Sequence, residues 1–141
     1  MAELIKIFEY EVIGNDFNMA GTASSAIKRN LKSLGIEPTL IRKVAIVSYE
    51  AEINMIIHSR GGNMYLEIYT DKMTIRAYDH GPGIKDVDLA MSEGYSTAST
   101  AARELGFGAG MGLPNMKKYS DKFEISSCEA GTKIEIDILM E

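Results

Sequence analysis

Two pairs of strand-like segments follow each other with almost nothing between them. Residues 63–70 (Asn63-Met64-Tyr65-Leu66-Glu67-Ile68-Tyr69-Thr70) alternate apolar and polar, and Asp71-Lys72 separates them from a second strand pattern at Met73 to Tyr78. Phe123 to Cys128 and Thr132 to Leu139 repeat the arrangement around Glu129-Ala130-Gly131. Loops this short join antiparallel neighbours. A doubly wound parallel sheet, in which strands and helices alternate, is therefore excluded. A further strand pattern runs from Leu4 to Ile13, rich in β-branched and aromatic residues. Helical spacing covers Phe17 to Leu34, with Asn15 and Asp16 as candidate caps and Gly35 as the stop. A second helix starts at Pro38-Thr39 and runs to about Ser59. A short helix is expected over 86–92, and another from about Leu113 to Asp121. Together these predict an α+β fold: a two-layer sandwich with a mixed, mostly antiparallel sheet and helices on one face.

The chain has 141 residues, enough for one domain with a real core and no linker. Its net charge of −5 argues against an extended basic surface for nucleic acid, though a local basic patch is compatible with it. Cys128 is the lone cysteine, so neither an internal disulfide nor a cysteine metal motif is available. The first residues lack the charged-then-apolar layout of a signal peptide, and no apolar run approaches the ~18 residues of a membrane span. The expectation is a cytoplasmic protein with no membrane or direct nucleic-acid partner. Nine methionines fit adaptable packing, chiefly in the core.

Chemistry concentrates in three places. The second helix is apolar on most sides yet carries Glu50 and Asn54, one turn apart on one face. A carboxylate there can orient or deprotonate a nucleophile, and the amide offers a hard oxygen for Mg²⁺. A surface position on an amphipathic helix is the plainer reading of Glu50, weakened by its apolar neighbours. Glu52 points elsewhere and is expected in solvent. His58 continues the face of Asn54 and reads best as a satisfied structural histidine. The second place is Asp79-His80-Gly81-Pro82-Gly83, directly after a strand. Its aspartate can accept from an exocyclic amine such as that of adenine, and its glycines allow close approach or positive φ. A simple turn explains the same residues equally well. The third is Gly106-Phe107-Gly108-Ala109-Gly110-Met111-Gly112-Leu113, opening a helix. Alternate glycines and a helix N-terminus suit phosphate binding, with a flexible linker as the bland alternative. No Gly-Lys-Ser/Thr follows, so it is not a P-loop, and no βαβ unit surrounds it. The stretch from Gly94 to Gly112 is poor in apolar residues and long enough to be a lid.

The order of these motifs resembles the GHKL ATPases, the superfamily of gyrase, Hsp90, histidine kinases and MutL. Glu50 and Asn54 match its N box, Asp79, Gly81 and Gly83 its G1 box, and Gly108, Gly110 and Gly112 its G2 box. Thr132, after Gly131, matches a late threonine. The likeness spans nearly the whole chain, as a single domain over 1–141 with its ATP lid at about 94–112. It implies the Bergerat ATP-binding fold. Within the superfamily, Glu93-Gly94-Tyr95-Ser96-Thr97 and Gly108 to Lys118 resemble the small anti-sigma-factor serine kinases, especially the stressosome switch kinase.

That resemblance implies a serine/threonine protein kinase that uses ATP and Mg²⁺ and phosphorylates a STAS-domain partner in a bacterial partner-switching pathway. Glu50 would be the catalytic base. Asn54 would hold Mg²⁺. Asp79, Gly81, Gly83 and Thr132 would form the adenine pocket, and Gly108, Ala109, Gly110, Met111, Gly112 and Leu113 would wrap the phosphates. The alternative is an ATP-gated module that sequesters a sigma factor or another regulator with little or no kinase activity. Sigma-binding members of the family are dimers and switch kinases less clearly so, which leaves a homodimer open. The lid carries an insertion, Ala98 to Leu105, longer than the switch-kinase pattern. Its Arg103 is suited to a γ-phosphate, although a solvated lid residue is the weightier reading.

Overall fold

The computed structural model describes residues 3–83, 91 and 112–140. Strand β1 spans Leu4–Ile13, and a short 3-10 turn, Phe17–Met19, follows it. Helix α1 spans Thr22–Ser33 and α2 spans Pro38–His58. Strands β2 (Gly61–Tyr69) and β3 (Lys72–Asp79) come next, then helix α3 (Gly112–Tyr119) and strands β4 (Lys122–Cys128) and β5 (Gly131–Leu139). The five strands form one sheet in the order β1-β2-β3-β5-β4. Every ladder is antiparallel, so the sheet has no parallel pair among the described residues. The expected α+β sandwich is thus present in its fully antiparallel form.

Period-two alternation decides which face meets the helices. Met64, Leu66 and Ile68 of β2, Met73, Ile75 and Ala77 of β3, and Ile134, Ile136 and Ile138 of β5 are all buried. They pack beneath α1, α2 and α3 with Ile27, Leu31, Val44, Val47, Met55, Ile56 and Met116. The opposite sheet face is polar. There Arg76 Nε lies 3.0 Å from Glu67 Oε1 and its Nη1 lies 2.6 Å from Glu135 Oε2, across three adjacent strands. Burial, then hydrogen bonds and charges from Tyr78, Glu67 and Glu135, act on Arg76, and the net effect raises its pKa.

Helix α2 lies between α1 and α3 and touches the sheet, which explains its apolar character on most sides. Leu40, Ile41, Val44, Val47, Ala51, Ile53, Met55 and Ile56 are buried. Pro38 at its first turn, with the Glu37 side chain accepting from Thr39 N–H at 3.4 Å, starts it as the sequence predicts.

Two local expectations are corrected. The helix predicted over Phe17 to Leu34 breaks after Met19, and α1 begins only at Thr22. Neither Asn15 nor Asp16 caps it: Gly21 occupies the N-cap at φ 89° with no side-chain cap of its own. The β2–β3 turn also sits one residue earlier than expected, at Thr70-Asp71, since Lys72 already belongs to β3. The expected helix over 86–92 and the lid over 94–111 lie outside the described residues, Met91 excepted. Among the described residues no helix is long and apolar enough to cross a membrane.

Candidate functional site

The site is assembled from the C-terminal half of α2, the end of β3 and the start of β5. Helical geometry places Glu50 and Asn54 on one face of α2, both half-buried. Burial pushes the Glu50 carboxyl above its usual range, an effect opposed by a hydrogen bond from the Asn115 side chain on α3. Asn115 therefore links the helix that follows the glycine-rich loop to the carboxylate on α2. Further along α2, burial lowers the pKa of His58, favouring its neutral form.

Glu52 reverses its sequence expectation. It is 2% exposed, and its two carboxylate oxygens accept from Ala23 N–H and Ser24 N–H, each at 3.0 Å. It caps α1 from a neighbouring helix. The first N–H groups of a helix have no partner within it, and the positive end of the helix dipole favours an anion there. Gly21 supplies no side chain for that purpose, so α2 supplies one.

Asp79 ends β3. Its Oδ1 accepts from Gly81 N–H at 2.9 Å and from Thr132 N–H at 2.9 Å. One oxygen thereby ties the turn after β3 to the start of β5. The glycines fit a close contact between that turn and the β4–β5 hairpin. Gly81 has φ 93°, and a Cβ there would meet the Glu129 carbonyl at 2.7 Å. A Cβ on Gly83 would collide with the Cys128 carbonyl, and one on Gly131 with the Asp79 carbonyl. Thr132 is buried, and its hydroxyl lies 2.8 Å from that of Ser127.

The structure thus brings Asp79, Gly81, Gly83 and Thr132 together, and sets Glu50 beside Asn54. Leu113 is buried in the first turn of α3, and Gly112 begins that helix. Gly108, Ala109, Gly110 and Met111 lie outside the described residues. Ser127 and Asn115 were not identified from the sequence. Ser127 was missed because the expected loop, Glu129 to Gly131, would pair position 127 with 133; the hairpin closes on Glu129-Ala130 instead and sets Ser127 opposite Thr132. Asn115 carried no local signal, because its partner is 65 positions away in the chain.

No group of three or more His, Cys, Asp or Glu side chains that could hold a metal occurs among the described residues. Among the described residues a divalent cation would find few protein ligands, and phosphate oxygens and water would complete its shell. One half-buried amide oxygen, that of Asn54, fits Mg²⁺ bound in that way.

Residues 15–138 match the histidine kinase-like ATPase domain. The chain belongs to this family. The serine/threonine-protein kinase RsbT of Bacillus subtilis (strain 168) is 29% identical over 119 residues, covering 80% of this chain and 84% of that protein. An anti-sigma F factor of Clostridium novyi (strain NT) is 32% identical over 108 residues, covering 70% and 72%. A chain in the crystal structure of the SiaB-SiaC complex from Pseudomonas aeruginosa superposes with a TM-score of 0.58 at 13% identity, covering 96% of this chain and 89% of that one. That likeness is one of fold.

Proposed function

We propose that the chain is a Mg·ATP-dependent serine/threonine protein kinase of the anti-sigma regulatory type, acting on a STAS-domain partner in the cytoplasm. The observation that carries this reading is the arrangement around Asp79. Its Oδ1 is committed to two backbone N–H groups, which fixes the carboxylate at the end of β3 and leaves Oδ2 to accept from the amine of adenine. The family match and the kinase named among the relatives support it.

Each residue then has a task. Asp79, with Thr132 and the close-packed Gly81 and Gly83, receives the base. Asn54 would hold Mg²⁺, which would supply neutralising charge to the transferring phosphate. The segment from Gly108 to Leu113 is the one assigned to the phosphates, on its alternate glycines. Glu50 takes the proton of the acceptor hydroxyl as the hydroxyl oxygen bonds to the γ-phosphorus, while the bond from that phosphorus to the β–γ bridging oxygen breaks and ADP leaves. Phosphoryl transfer depends mainly on positioning and on charge neutralisation, so one base and one metal ligand suffice as side-chain chemistry. A carboxyl raised by burial is the better base for that step.

The test is incubation of the protein with host lysate and Mg·ATP, or Mg·ADP, followed by intact mass of whatever is retained and released. A STAS-domain protein gaining about 80 Da, the mass of a phosphoryl group, only with Mg·ATP is the expected result. The anti-sigma factors among the relatives favour one second reading, an ATP-gated module that sequesters a regulator. Under the kinase reading Glu50→Ala abolishes transfer and partner regulation together. Under the second, regulation survives that change.

A further inference from the structure

Glu50 is half-buried, and no ion pair among the described residues includes it. What holds its side chain is an amide. The Asn115 side chain on α3 donates a hydrogen bond to the carboxylate, which favours the ionised form that burial disfavours. A carboxylate has two oxygens and only accepts when ionised, so one amide N–H leaves an oxygen free for a second partner.

Asn115 is itself held firmly. On either side of it Leu113 and Met116 are buried in the core, and α3 packs on α2. Pro114 falls in the first turn of α3, where its missing N–H costs no helical bond and its fixed φ suits the helix. Asn115 is half-buried, and its short side chain has little freedom from such a base. Gly112, the last glycine of the segment assigned to the phosphates, lies three residues earlier, about 4.5 Å along the helix axis. One rigid turn therefore joins the end of that segment to the group that touches Glu50.

We infer that Asn115 is a positioning residue for the transfer: its side-chain N–H aims the Glu50 carboxylate so that the free oxygen faces the acceptor hydroxyl. The inference rests on the kinase reading and deepens it by naming what orients the base. In the step, the hydroxyl oxygen bonds to the γ-phosphorus and the bond from that phosphorus to the β–γ bridging oxygen breaks. The electron pair of the broken bond leaves with ADP, and the hydroxyl proton passes to the Glu50 oxygen that Asn115 does not hold. A base oriented by a third group is a general arrangement for activating a hydroxyl. Without Asn115 the carboxylate is free to enter other staggered rotamers, and its oxygens then point away from the proton they must take. Stability alone does not require this bond, because Met116 and Leu113 already fasten α3 to the core.

The test compares the full chain with N115L, N115D and N115Q in phosphoryl transfer to the protein that the lysate experiment recovers. Leucine and aspartate keep the approximate size and remove the donor, and glutamine returns a donor on a longer stem. A well-placed base is worth about 10²–10⁴-fold, so transfer at saturating Mg·ATP should fall about 10–100-fold in N115L and N115D. The KM for ATP should stay within about twofold, since the lost interaction is made only in the transition state. N115Q should recover part of the rate. A second readout needs no activity. In proton–nitrogen NMR spectra of the free chain, one Asn115 side-chain amide proton, identified by its absence in N115L, should move upfield in E50A, which removes its acceptor. An amide proton indifferent to E50A overturns the proposal, as does transfer lost only through a raised KM. Transfer at the parent rate in both N115L and N115D overturns it while leaving the kinase reading in place. If no lysate protein gains a phosphoryl group, the kinase reading itself falls and takes the inference with it.

Discussion

Glu52 and Glu50 stand two positions apart on α2 and carry opposite assignments. Glu52 is held by two buried N–H groups of α1, so its task is architectural. Removing it leaves both donors unpaired, at about 1–3 kcal/mol for each buried group. Glu52→Ala should therefore lower stability by roughly 2–6 kcal/mol in urea unfolding, and Glu52→Gln, which keeps one acceptor oxygen and loses the charge at the helix end, by about half of that. Glu50 behaves in the reverse way. Its folded-state pKa is raised, chiefly by burial, so the folded protein binds this proton more tightly than the unfolded chain does. That contribution is fully present below the ordinary pKa of 4.5 and is lost as pH rises through the folded value. Glu50→Gln should then raise the melting temperature at pH 7 while abolishing phosphotransfer, and the gain should vanish below about pH 4. A variant less stable than the parent at pH 7 would contradict the burial argument. The sequence marked Glu50, because a carboxylate on an apolar helix is conspicuous. It misplaced Glu52, because a cap supplied from another helix leaves no pattern in either segment.

At the scale of elements, the turn after β3 and the β4–β5 hairpin behave as one unit. Asp79 Oδ1 bonds both, and Gly81, Gly83 and Gly131 remove the Cβ atoms that would hold them apart. Gly83→Ala places a methyl group against the Cys128 carbonyl, which is backbone and cannot swing aside. The hairpin must shift, and Thr132 shifts with it. Nucleotide affinity measured by calorimetry should fall at least about tenfold, with far-UV circular dichroism unchanged. Alanine at the exposed Gly35 is no control for space alone, since its φ of 73° strains any side chain. The strands themselves were legible because apolar alternation has a fixed period. The break in the first helix was not, since Met19, Ala23 and Ala26 keep helical spacing across it while Gly21 adopts positive φ. Spacing reports which face is buried, and a single glycine can interrupt the backbone without disturbing that face.

For the whole molecule, the proposed nucleotide site joins parts of the fold that are distant in sequence. Asn54 comes from the central helix, Asp79 from β3 and Thr132 from β5, and α2 packs on α3. A ligand that touches all of them stabilises the cooperative fold. Mg·ATP at a hundredfold excess over its Kd adds about 2.7 kcal/mol by mass action. For a chain of 141 residues that corresponds to roughly 8–10 °C in melting temperature. Three comparisons assign the effect. Asp79→Asn should remove most of the shift, because an amide at the end of β3 no longer offers two carboxylate oxygens to serve both the backbone and the base. Asn54→Ala should remove the difference between ATP with Mg²⁺ and ATP with a chelator, leaving the smaller shift that the base supplies. Mg·GTP should give little, since its ring carries an oxygen where adenine carries the amine that Asp79 would accept. An equal shift with Mg·ATP and Mg·GTP, or one untouched by Asp79→Asn, would mean that the base is read elsewhere and that the bonded arrangement at Asp79 serves only to fasten β3 to β5.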